Sequence, residues 1–305
     1  MKLGYIGLGK MGHNMVLRLL EKGHEPVVND VNVDVVNELG GKGAKTAHSL
    51  QEVVSQLEAP RTVWAMVPSN VVDDVLAELI PLLEKGDTII DGGNSHYKET
   101  MRRAEQVSGA GLHWLDIGTS GGPGGARNGA AMMVGGKRED YERYTSLLKD
   151  LCVDEGYGYM GDAGAGHFVK MVHNGIEYGM MQAIGEGFEM MKKSPLNLDL
   201  KEIARVYNHG TVVTSRLIGW LESAFAAYGT ELSDISGTVG HTGEGQWAAE
   251  AAKELGVPAP IIEGAFQFRV QSKENPSYTG QVVSALRNQF GGHAQKKNEK
   301  IDGQS

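Results

Sequence analysis

The chain of 305 residues contains 41% hydrophobic and 22% charged residues, which is typical of a globular protein and excludes disorder as its main state. Its net charge of −9 argues against general binding to nucleic acid or to anionic membranes. The single cysteine, Cys152, excludes an intrachain disulfide bond, and because the chain has neither a signal peptide nor an apolar run of ~20 residues, we expect a cytoplasmic protein.

Short apolar runs alternate with amphipathic stretches over the first half of the chain. Strands are predicted over residues 3–6, 26–29, 62–67, 88–91, 114–117, 131–134 and 158–160. Helices are predicted between them, over residues 14–22, 50–57, 71–83, 97–107 and 141–151, with Ser49 as the cap of the second. This alternation predicts an α/β domain of the Rossmann type, with a doubly wound parallel sheet that helices cover on both faces.

The second half of the chain is predicted to be almost entirely helical. A long helix without proline covers residues 164–191, and further helices are predicted over residues 200–207, 214–228, 246–255, 261–272 and 280–288. We therefore predict an α/β domain over residues 1–162 and an all-α domain over residues 163–293, joined by the long helix. A polar tail is predicted over residues 294–305.

The turn after the first predicted strand has the pattern GxGxxG, formed by Gly7, Leu8, Gly9, Lys10, Met11 and Gly12. In this pattern the first glycine permits the tight turn, the second lets a pyrophosphate approach the backbone, and the third allows close packing of helix on strand. The N-terminus of the following helix offers N–H groups and partial positive charge to the diphosphate. An ordinary glycine-rich turn is the alternative, but the strand before the turn and the helix after it favour a dinucleotide site.

The second predicted strand ends in Asn29 and Asp30, and we assign both to the cofactor site. Asp30 follows Gly12 by 18 residues, close to the ~20 expected for the acid that accepts a hydrogen bond from a ribose 2′-hydroxyl. A carboxylate there repels a 2′-phosphate, and no lysine or arginine lies between Asn29 and Val36. The sequence therefore favours NAD over NADP, with helix capping as the alternative role of Asp30.

Three residues follow later strands at the carboxyl edge of the predicted sheet: Val67, Pro68 and Asn94. Ligands of open parallel sheets lie outside this edge, so we expect these residues at the nicotinamide end of the cofactor. A simple turn is the alternative for Asn94.

The long helix carries a polar stripe on an otherwise apolar surface. Lys170, His173, Asn174 and Glu177 stand at positions i, i+3, i+4 and i+7, and therefore share one face. A solvated stripe is one interpretation. The other is a base and an acid fixed on one rigid element. A lysine can take a proton from a secondary alcohol if burial or a neighbouring cation, such as oxidised nicotinamide, lowers its pKa.

Together these motifs resemble the β-hydroxyacid dehydrogenase superfamily, and residues 166–178 (GHFVKMVHNGIEY) closely resemble the catalytic segment of the 6-phosphogluconate dehydrogenase family. Residues 91–95 (DGGNS) and 287–293 (RNQFGGH) also match that family. The resemblance extends from the N-terminus to about His293 and includes the all-α domain, which it assigns to substrate binding and dimerisation.

The resemblance implies oxidative decarboxylation of 6-phosphogluconate to ribulose 5-phosphate with reduction of NAD and without a metal. It implies that Lys170 is the base that later returns a proton, that Glu177 is the acid, and that Asn174 assists. The residues that it places around the sugar-acid phosphate are Asn94, Ser120, Gly121, Gly122, His173, Asn174, Tyr178, Arg269, Arg287 and His293. Of these, Tyr178, Arg269 and Arg287 match positions of the phosphate site.

This chain departs from the long form of the family, because it is much shorter and resembles the short form. Thr242 stands where the long form has a phosphate-binding lysine, and Glu244 stands where it has threonine. We expect a homodimer or homotetramer. Two alternatives are a β-hydroxyacid dehydrogenase without decarboxylation, of the 3-hydroxyisobutyrate type, and a non-catalytic NAD-sensing protein.

Overall fold

The computed structural model describes residues 1–241 and 243–291. The chain divides into two compact units, Met1–Met171 and Val172–Ser305. None of the helices in the described ranges is both long enough and apolar enough to cross a membrane.

The first unit contains one sheet of eight strands. In chain order they are β1 (Lys2–Ile6), β2 (Glu25–Asn29), β3 (Lys45–Thr46), β4 (Thr62–Ala65), β5 (Thr88–Asp91), β6 (His113–Ser120), β7 (Ala130–Gly136) and β8 (Cys152–Gly161). Their spatial order is β3-β2-β1-β4-β5-β6-β7-β8, and every neighbouring pair is parallel except β6 and β7. The predicted Rossmann-type sheet is confirmed, although the short β3 and the antiparallel β7 lie outside the prediction.

Helices connect these strands. They are α1 (Lys10–Glu21), α2 (Val33–Gly41), α3 (Leu50–Ser55), α4 (Val72–Leu79), a 3₁₀ turn (Ile80–Leu82), α5 (Tyr97–Gly109), α6 (Gly122–Asn128), α7 (Arg138–Arg143) and α8 (Thr145–Leu151). The Ser49 side chain accepts a hydrogen bond from the amide of Glu52 and begins α3, as its sequence position predicts. The helices α2 and α6 were not predicted, since both are short and rich in small or polar residues.

Both faces of the sheet are buried, because successive side chains of a strand point to opposite sides. Trp64 and Ile90 pack in one apolar cluster, while their neighbours Val63 and Ile89 pack in another. This arrangement explains why the strands have nearly continuous apolar sequences, and it leaves the loops at the strand ends as the exposed edge of the sheet.

The described residues of the second unit form only helices and loops, as predicted. The long helix α9 (Ala165–Lys193) begins in the first unit and continues into the second, where α10 (Leu200–Tyr207), α11 (Arg216–Tyr228), α12 (Glu244–Glu254), α13 (Pro260–Gln271) and α14 (Tyr278–Gly291) follow. Asp199 and Ser215 cap α10 and α11 with their side chains. Phe188, Phe225 and Val282 are among the buried residues of its core.

Candidate active site

The glycine-rich turn joins β1 to α1 and has the geometry of a dinucleotide-binding turn. Gly7 has a φ of +92°, which a residue with a side chain rarely adopts, and a Cβ atom there would overlap the Met66 carbonyl oxygen. A Cβ atom on Gly12 would overlap the carbonyl oxygen of Gly7, so α1 packs directly on the turn. By contrast, no described atom lies within 4 Å of the position that a Cβ atom of Gly9 would take.

The N-terminus of α1 suits an anion. Lys10 and Met11 are its first residues, its first turn contains no acidic side chain, and no described side chain caps it. The partial positive charge of the helix dipole at this end suits a diphosphate that approaches over Gly9. These residues fit the dinucleotide that the sequence predicts.

Asp30 lies beside this turn, at the end of β2. One carboxylate oxygen accepts a hydrogen bond from the Leu8 amide (2.6 Å), and the other accepts one from the Asn32 amide (2.8 Å). The cap of α2 is Asn32 itself, so helix capping does not explain Asp30. The Asn29 side chain donates to the Ala47 carbonyl oxygen (3.0 Å) and thereby ties β2 to the residues after β3.

The loops after β4 and β5 meet at the carboxyl edge of the sheet. Val67 and Pro68 lie in the first loop and Asn94 in the second. A Cβ atom on Gly93 would lie only 2.7 Å from the Val67 carbonyl oxygen, so the two loops are in close contact. The structure therefore brings together the three residues that the sequence assigns to the nicotinamide end.

A buried hydrogen-bond network that the sequence analysis missed holds these loops. Asp91 accepts hydrogen bonds from the Gly93 amide (3.0 Å) and from the Ser95 hydroxyl (2.9 Å). Arg103, on α5, donates to the Ser95 hydroxyl oxygen (3.3 Å) and to the Ser69 carbonyl oxygen (3.1 Å). The signal for this network in the sequence is an arginine at an inward-facing helix position, where a charged residue is rarely buried.

Ser120 is the last residue of β6, Gly121 is the N-cap of α6, and Gly122 is its first residue. Gly121 has a φ of +119°, which favours glycine, and α6 starts directly after it, so the chain turns sharply here. Successive N–H groups at such a turn can bind a carboxylate.

The first turns of α9 pack directly on the sheet and fix the position of Lys170. A Cβ atom on Gly118, in β6, would overlap the Cβ atom of Lys170. The buried carboxylate of Asp116, also in β6, accepts hydrogen bonds from the Gly164 amide (2.7 Å) and the His167 amide (3.0 Å). Asp116 therefore satisfies two free N–H groups at the start of α9 from outside the helix.

This contact explains why the division into units falls inside α9, since the helix has its first residues against β6. The domain boundary at residue 162 stays a prediction. Asp116 was missed as well, and its signal is a charged residue in the middle of an apolar strand.

The polar stripe continues along α9 in the second unit. The His173 Nδ1 atom lies 3.0 Å from the Asn174 side-chain oxygen and 3.8 Å from a carboxylate oxygen of Glu177. These three side chains form one polar group on a helix whose other faces are largely apolar.

A cluster of cations surrounds Tyr178, the residue that follows Glu177. The guanidinium carbon of Arg269 lies 3.2 Å from the centroid of the Tyr178 ring. The Arg269 side chain is 1% exposed, and neither of its terminal nitrogens donates a hydrogen bond to any described residue. Burial, together with the charge of Arg287, lowers the pKa of Arg269 to about 10, so Arg269 stays protonated at neutral pH.

Arg287 and the loop before α12 complete this cluster. The Arg287 side chain lies beside Gly240, and burial lowers its pKa. The ring of Tyr178 packs on Gly245.

Glu244 is buried, and its negative charge raises the pKa of both arginines. Burial, together with the charges of Lys273, Arg269 and Arg287, lowers the pKa of His241. The cluster thus combines the buried guanidinium group of Arg269, whose terminal nitrogens have no acceptor in the described residues, with the half-buried one of Arg287, which suits an anion.

Three further predictions concern other parts of the chain. His293 and Thr242 lie outside the described residues, as does the predicted tail over residues 294–305. Within the described ranges, no three histidine, cysteine, aspartate or glutamate residues form a group that could hold a metal ion.

Two family models match the chain. One, described as the NAD binding domain of 6-phosphogluconate dehydrogenase, matches residues 2–161. The other, described as the C-terminal domain of 6-phosphogluconate dehydrogenase, matches residues 166–303. Together the two matches cover nearly the whole chain.

Similar proteins agree with these models. A Bacillus subtilis (strain 168) protein, provisionally named a 6-phosphogluconate dehydrogenase, is 50% identical over 97% of this chain and 100% of its own length. A Haloferax volcanii protein named as an NAD(+)-dependent, decarboxylating 6-phosphogluconate dehydrogenase is 41% identical over 96% of this chain and 98% of its own. A solved structure of Plasmodium falciparum 6-phosphogluconate dehydrogenase, described as apo and in complex with NADP+ and with 6-phosphogluconate, aligns with a TM-score of 0.84. The two sequences are 31% identical, and the alignment covers 90% of this chain and 62% of the Plasmodium falciparum chain.

Proposed function

The chain belongs to the 6-phosphogluconate dehydrogenase family, and we propose that it converts 6-phosphogluconate to ribulose 5-phosphate and CO2 with reduction of NAD. The observation that carries this proposal is the buried guanidinium group of Arg269, whose terminal nitrogens have no acceptor in the described residues. A buried cation of this kind is costly unless an anion binds it. With Arg287 and Tyr178, it would bind the phosphate group of the substrate.

The proposed chemistry at the sugar uses Lys170. In its neutral form, Lys170 takes the proton of the C3 hydroxyl while the C3 hydride leaves. Bound NAD supplies the acceptor for this hydride. Protonated Lys170 then donates its proton to the new C3 carbonyl oxygen as the bond between C1 and C2 breaks and CO2 departs. Hydrogen bonding to the carbonyl oxygen stabilises the developing enediol, so no metal is required.

The remaining steps use Glu177. It protonates the enediol carbon that becomes C1 of ribulose 5-phosphate, and Lys170 takes back the proton of the enediol oxygen to leave the ketone. His173 and Asn174, which contact each other, would hold substrate hydroxyls, with Asn174 assisting at the reacting carbons. Ser120, Gly121 and Gly122 would bind the carboxylate end through their turn.

For the cofactor we propose NAD rather than NADP. Gly7, Gly9 and Gly12 would hold the diphosphate, and Asp30 would accept a hydrogen bond from the ribose 2′-hydroxyl. Although both Asp30 oxygens already accept backbone N–H groups, each carboxylate oxygen can accept more than one hydrogen bond. Val67, Pro68 and Asn94 would contact the nicotinamide end.

One assay distinguishes this function from the two alternatives. The purified chain is given 6-phosphogluconate or gluconate, each with NAD or NADP, and both the reduced cofactor and CO2 are followed. We expect rapid formation of NADH and CO2 from 6-phosphogluconate and weak activity with gluconate, which lacks the phosphate. NADH without CO2 would indicate a non-decarboxylating dehydrogenase, and nucleotide binding without turnover would indicate a sensing protein.

A further inference from the structure

We propose that Arg103 is a positioning residue. It fixes the relative position of the two loops at the nicotinamide end of the cofactor. This inference deepens the proposed function and rests on it, because it assumes that the loops after β4 and β5 contact the nicotinamide half of NAD. Arg103 lies on α5, behind these loops, and does not belong to the residues assigned to cofactor contact.

Arg103 contacts both loops at once. Its Nη2 atom donates to the Ser69 carbonyl oxygen (3.1 Å) in the loop after β4, and its Nη1 atom donates to the Ser95 hydroxyl oxygen (3.3 Å) in the loop after β5. The planar guanidinium group fixes the angle between these two hydrogen bonds, so the relative position of the loops depends on it.

The second contact continues into the loop that carries Asn94. Ser95 donates its hydroxyl proton to Asp91 (2.9 Å), and the other Asp91 oxygen accepts the Gly93 amide (3.0 Å). The two neighbours of Asn94 are therefore both fixed by hydrogen bonds that lead to Arg103 or Asp91. Since Gly93 also contacts the Val67 carbonyl, movement of one loop would displace the other.

An ion pair anchors Arg103 itself. Its Nε and Nη2 atoms bind the two carboxylate oxygens of Asp73 at 3.1 and 2.8 Å, in a bidentate pair. Arg103 is 3% exposed and Ser95 is 2% exposed, so water does not replace these contacts readily. The hydrogen bond from Arg103 is the largest cause that lowers the pKa of Asp73 to about 2.

The neighbouring arginine provides a matched control. Arg102 also binds Asp73 (2.7 Å), and it binds Glu99, but its side chain is half exposed. Among the described residues, the Arg102 side chain binds these two carboxylates, whereas Arg103 also binds the loops. Replacement of Arg102 therefore removes one of the two ion pairs of Asp73 but none of the hydrogen bonds to the loops.

The position of Arg103 predicts a selective effect on ligand binding. The adenosine and diphosphate part of the cofactor would bind at the Gly7–Gly12 turn and at Asp30, directly after β1 and β2. The nicotinamide ring would bind at the loops that Arg103 holds. Loss of Arg103 should therefore lower the affinity for NAD. The affinity for ADP-ribose, which lacks nicotinamide, should be almost unaffected.

The test measures the dissociation constants of NAD and ADP-ribose by calorimetry, together with Tm, for wild type, Arg103→Met, Arg103→Lys and Arg102→Met. We expect Arg103→Met to weaken NAD by about tenfold, with ADP-ribose changed by less than about twofold. Arg103→Lys should restore Tm through the Asp73 pair but not restore NAD affinity, because an ammonium group cannot hold both loops. Arg102→Met should leave both affinities unchanged.

Equal weakening of both ligands, or unchanged NAD affinity, would overturn the inference. If Arg103→Met does not fold, Ser95→Ala is used instead. A lower affinity for NAD with an unchanged affinity for ADP-ribose would support the inference, and an unchanged affinity for NAD would reject it. These binding results do not depend on turnover. A wild-type protein that binds NAD but releases no CO2 from 6-phosphogluconate would reject the proposed function alone.

Discussion

Arg269 and Tyr178 form a close stacked pair, with the guanidinium carbon 3.2 Å from the ring centroid. The ring compensates part of the buried charge through its π electrons but accepts no hydrogen bond in the plane of the guanidinium group. The pair therefore keeps a cation in place while its terminal N–H groups remain available to an anion.

Arg269→Met should raise the free energy of unfolding of the ligand-free protein by about 1 kcal/mol, because it removes a buried charge that is only partly compensated and whose terminal nitrogens have no acceptor in the described residues. The same change should raise KM for 6-phosphogluconate by about 100-fold through the loss of a charge-assisted contact. Denaturant unfolding and steady-state kinetics measure the two effects. Arg205→Met, at a residue paired with Glu202 on the surface of α10, is the control and should change neither. A strongly destabilised Arg269→Met would indicate a structural role instead.

Lys170→Met should abolish turnover while NAD binding stays within about twofold of wild type. General acid–base groups contribute on the order of 10²–10⁴ to rate, so we expect kcat to fall by at least about 100-fold. Lys201→Met removes an exposed lysine in the first turn of α10 and should be silent. Stopped-flow measurement of NADH and titration of NAD check this prediction, and substantial residual oxidation would contradict the assignment of the base.

Gly118→Ala tests the position of Lys170 without removing it. The added methyl group would overlap the Lys170 Cβ atom and lie 2.8 Å from the Gly166 carbonyl oxygen, so the first turns of α9 must shift. We expect kcat to fall by on the order of tenfold or more, because small displacements of a catalytic group reduce rate strongly. At Gly109, near the end of α5, an added Cβ meets no described atom within 4 Å, so Gly109→Ala is the matched control. An equal kcat for Gly118→Ala and Gly109→Ala would show that catalysis does not depend on the position of Lys170.

Glu177→Gln should slow the last step more than substrate binding. Oxidation and decarboxylation need only Lys170 in the proposed sequence, so NADH should form in a rapid first turnover while ribulose 5-phosphate appears slowly. Rapid-quench analysis separates the two products. Glu186→Gln changes an exposed acid on the same helix, hydrogen-bonded to Gln182, and should behave as wild type. Unchanged product formation in Glu177→Gln would remove its role as the acid.

Asp30→Arg should shift the ratio of kcat/KM for NAD and NADP toward NADP, because it replaces a repelling carboxylate with a phosphate-binding side chain. It should also cost about 1–2 kcal/mol of stability, since Asp30 accepts the Leu8 and Asn32 amides. Asp30→Asn keeps an acceptor and should lose less stability. Asp34→Arg adds the same cation at an exposed position of α2 without loss of these bonds. An unchanged cofactor ratio in Asp30→Arg would make Asp30 purely structural.

The sequence predicts those features that depend on local pattern. The glycine-rich turn between β1 and α1 could be predicted because its geometry restricts the residues it can contain. The positive φ of Gly7 and the close contact of Gly12 with Gly7 both favour glycine. The long helix α9 is predicted almost to its ends, since its apolar residues continue without a proline from its start to Lys193.

Features that depend on distant partners could not be predicted. The antiparallel direction of β7 depends on its pairing with β6, and a single apolar strand does not encode the direction of its neighbour. Asp116 reaches N–H groups 48 and 51 residues away, and Arg103 reaches Ser69 over 34 residues. Such contacts become visible only when the sheet has placed the loops together.

The most direct test of the central claim is the amount of CO2 released for each NADH formed from 6-phosphogluconate labelled at C1. The proposed mechanism predicts one labelled CO2 for each NADH, with ribulose 5-phosphate as the other product. Formation of NADH with the label retained in a 3-keto acid would contradict decarboxylation by this chain.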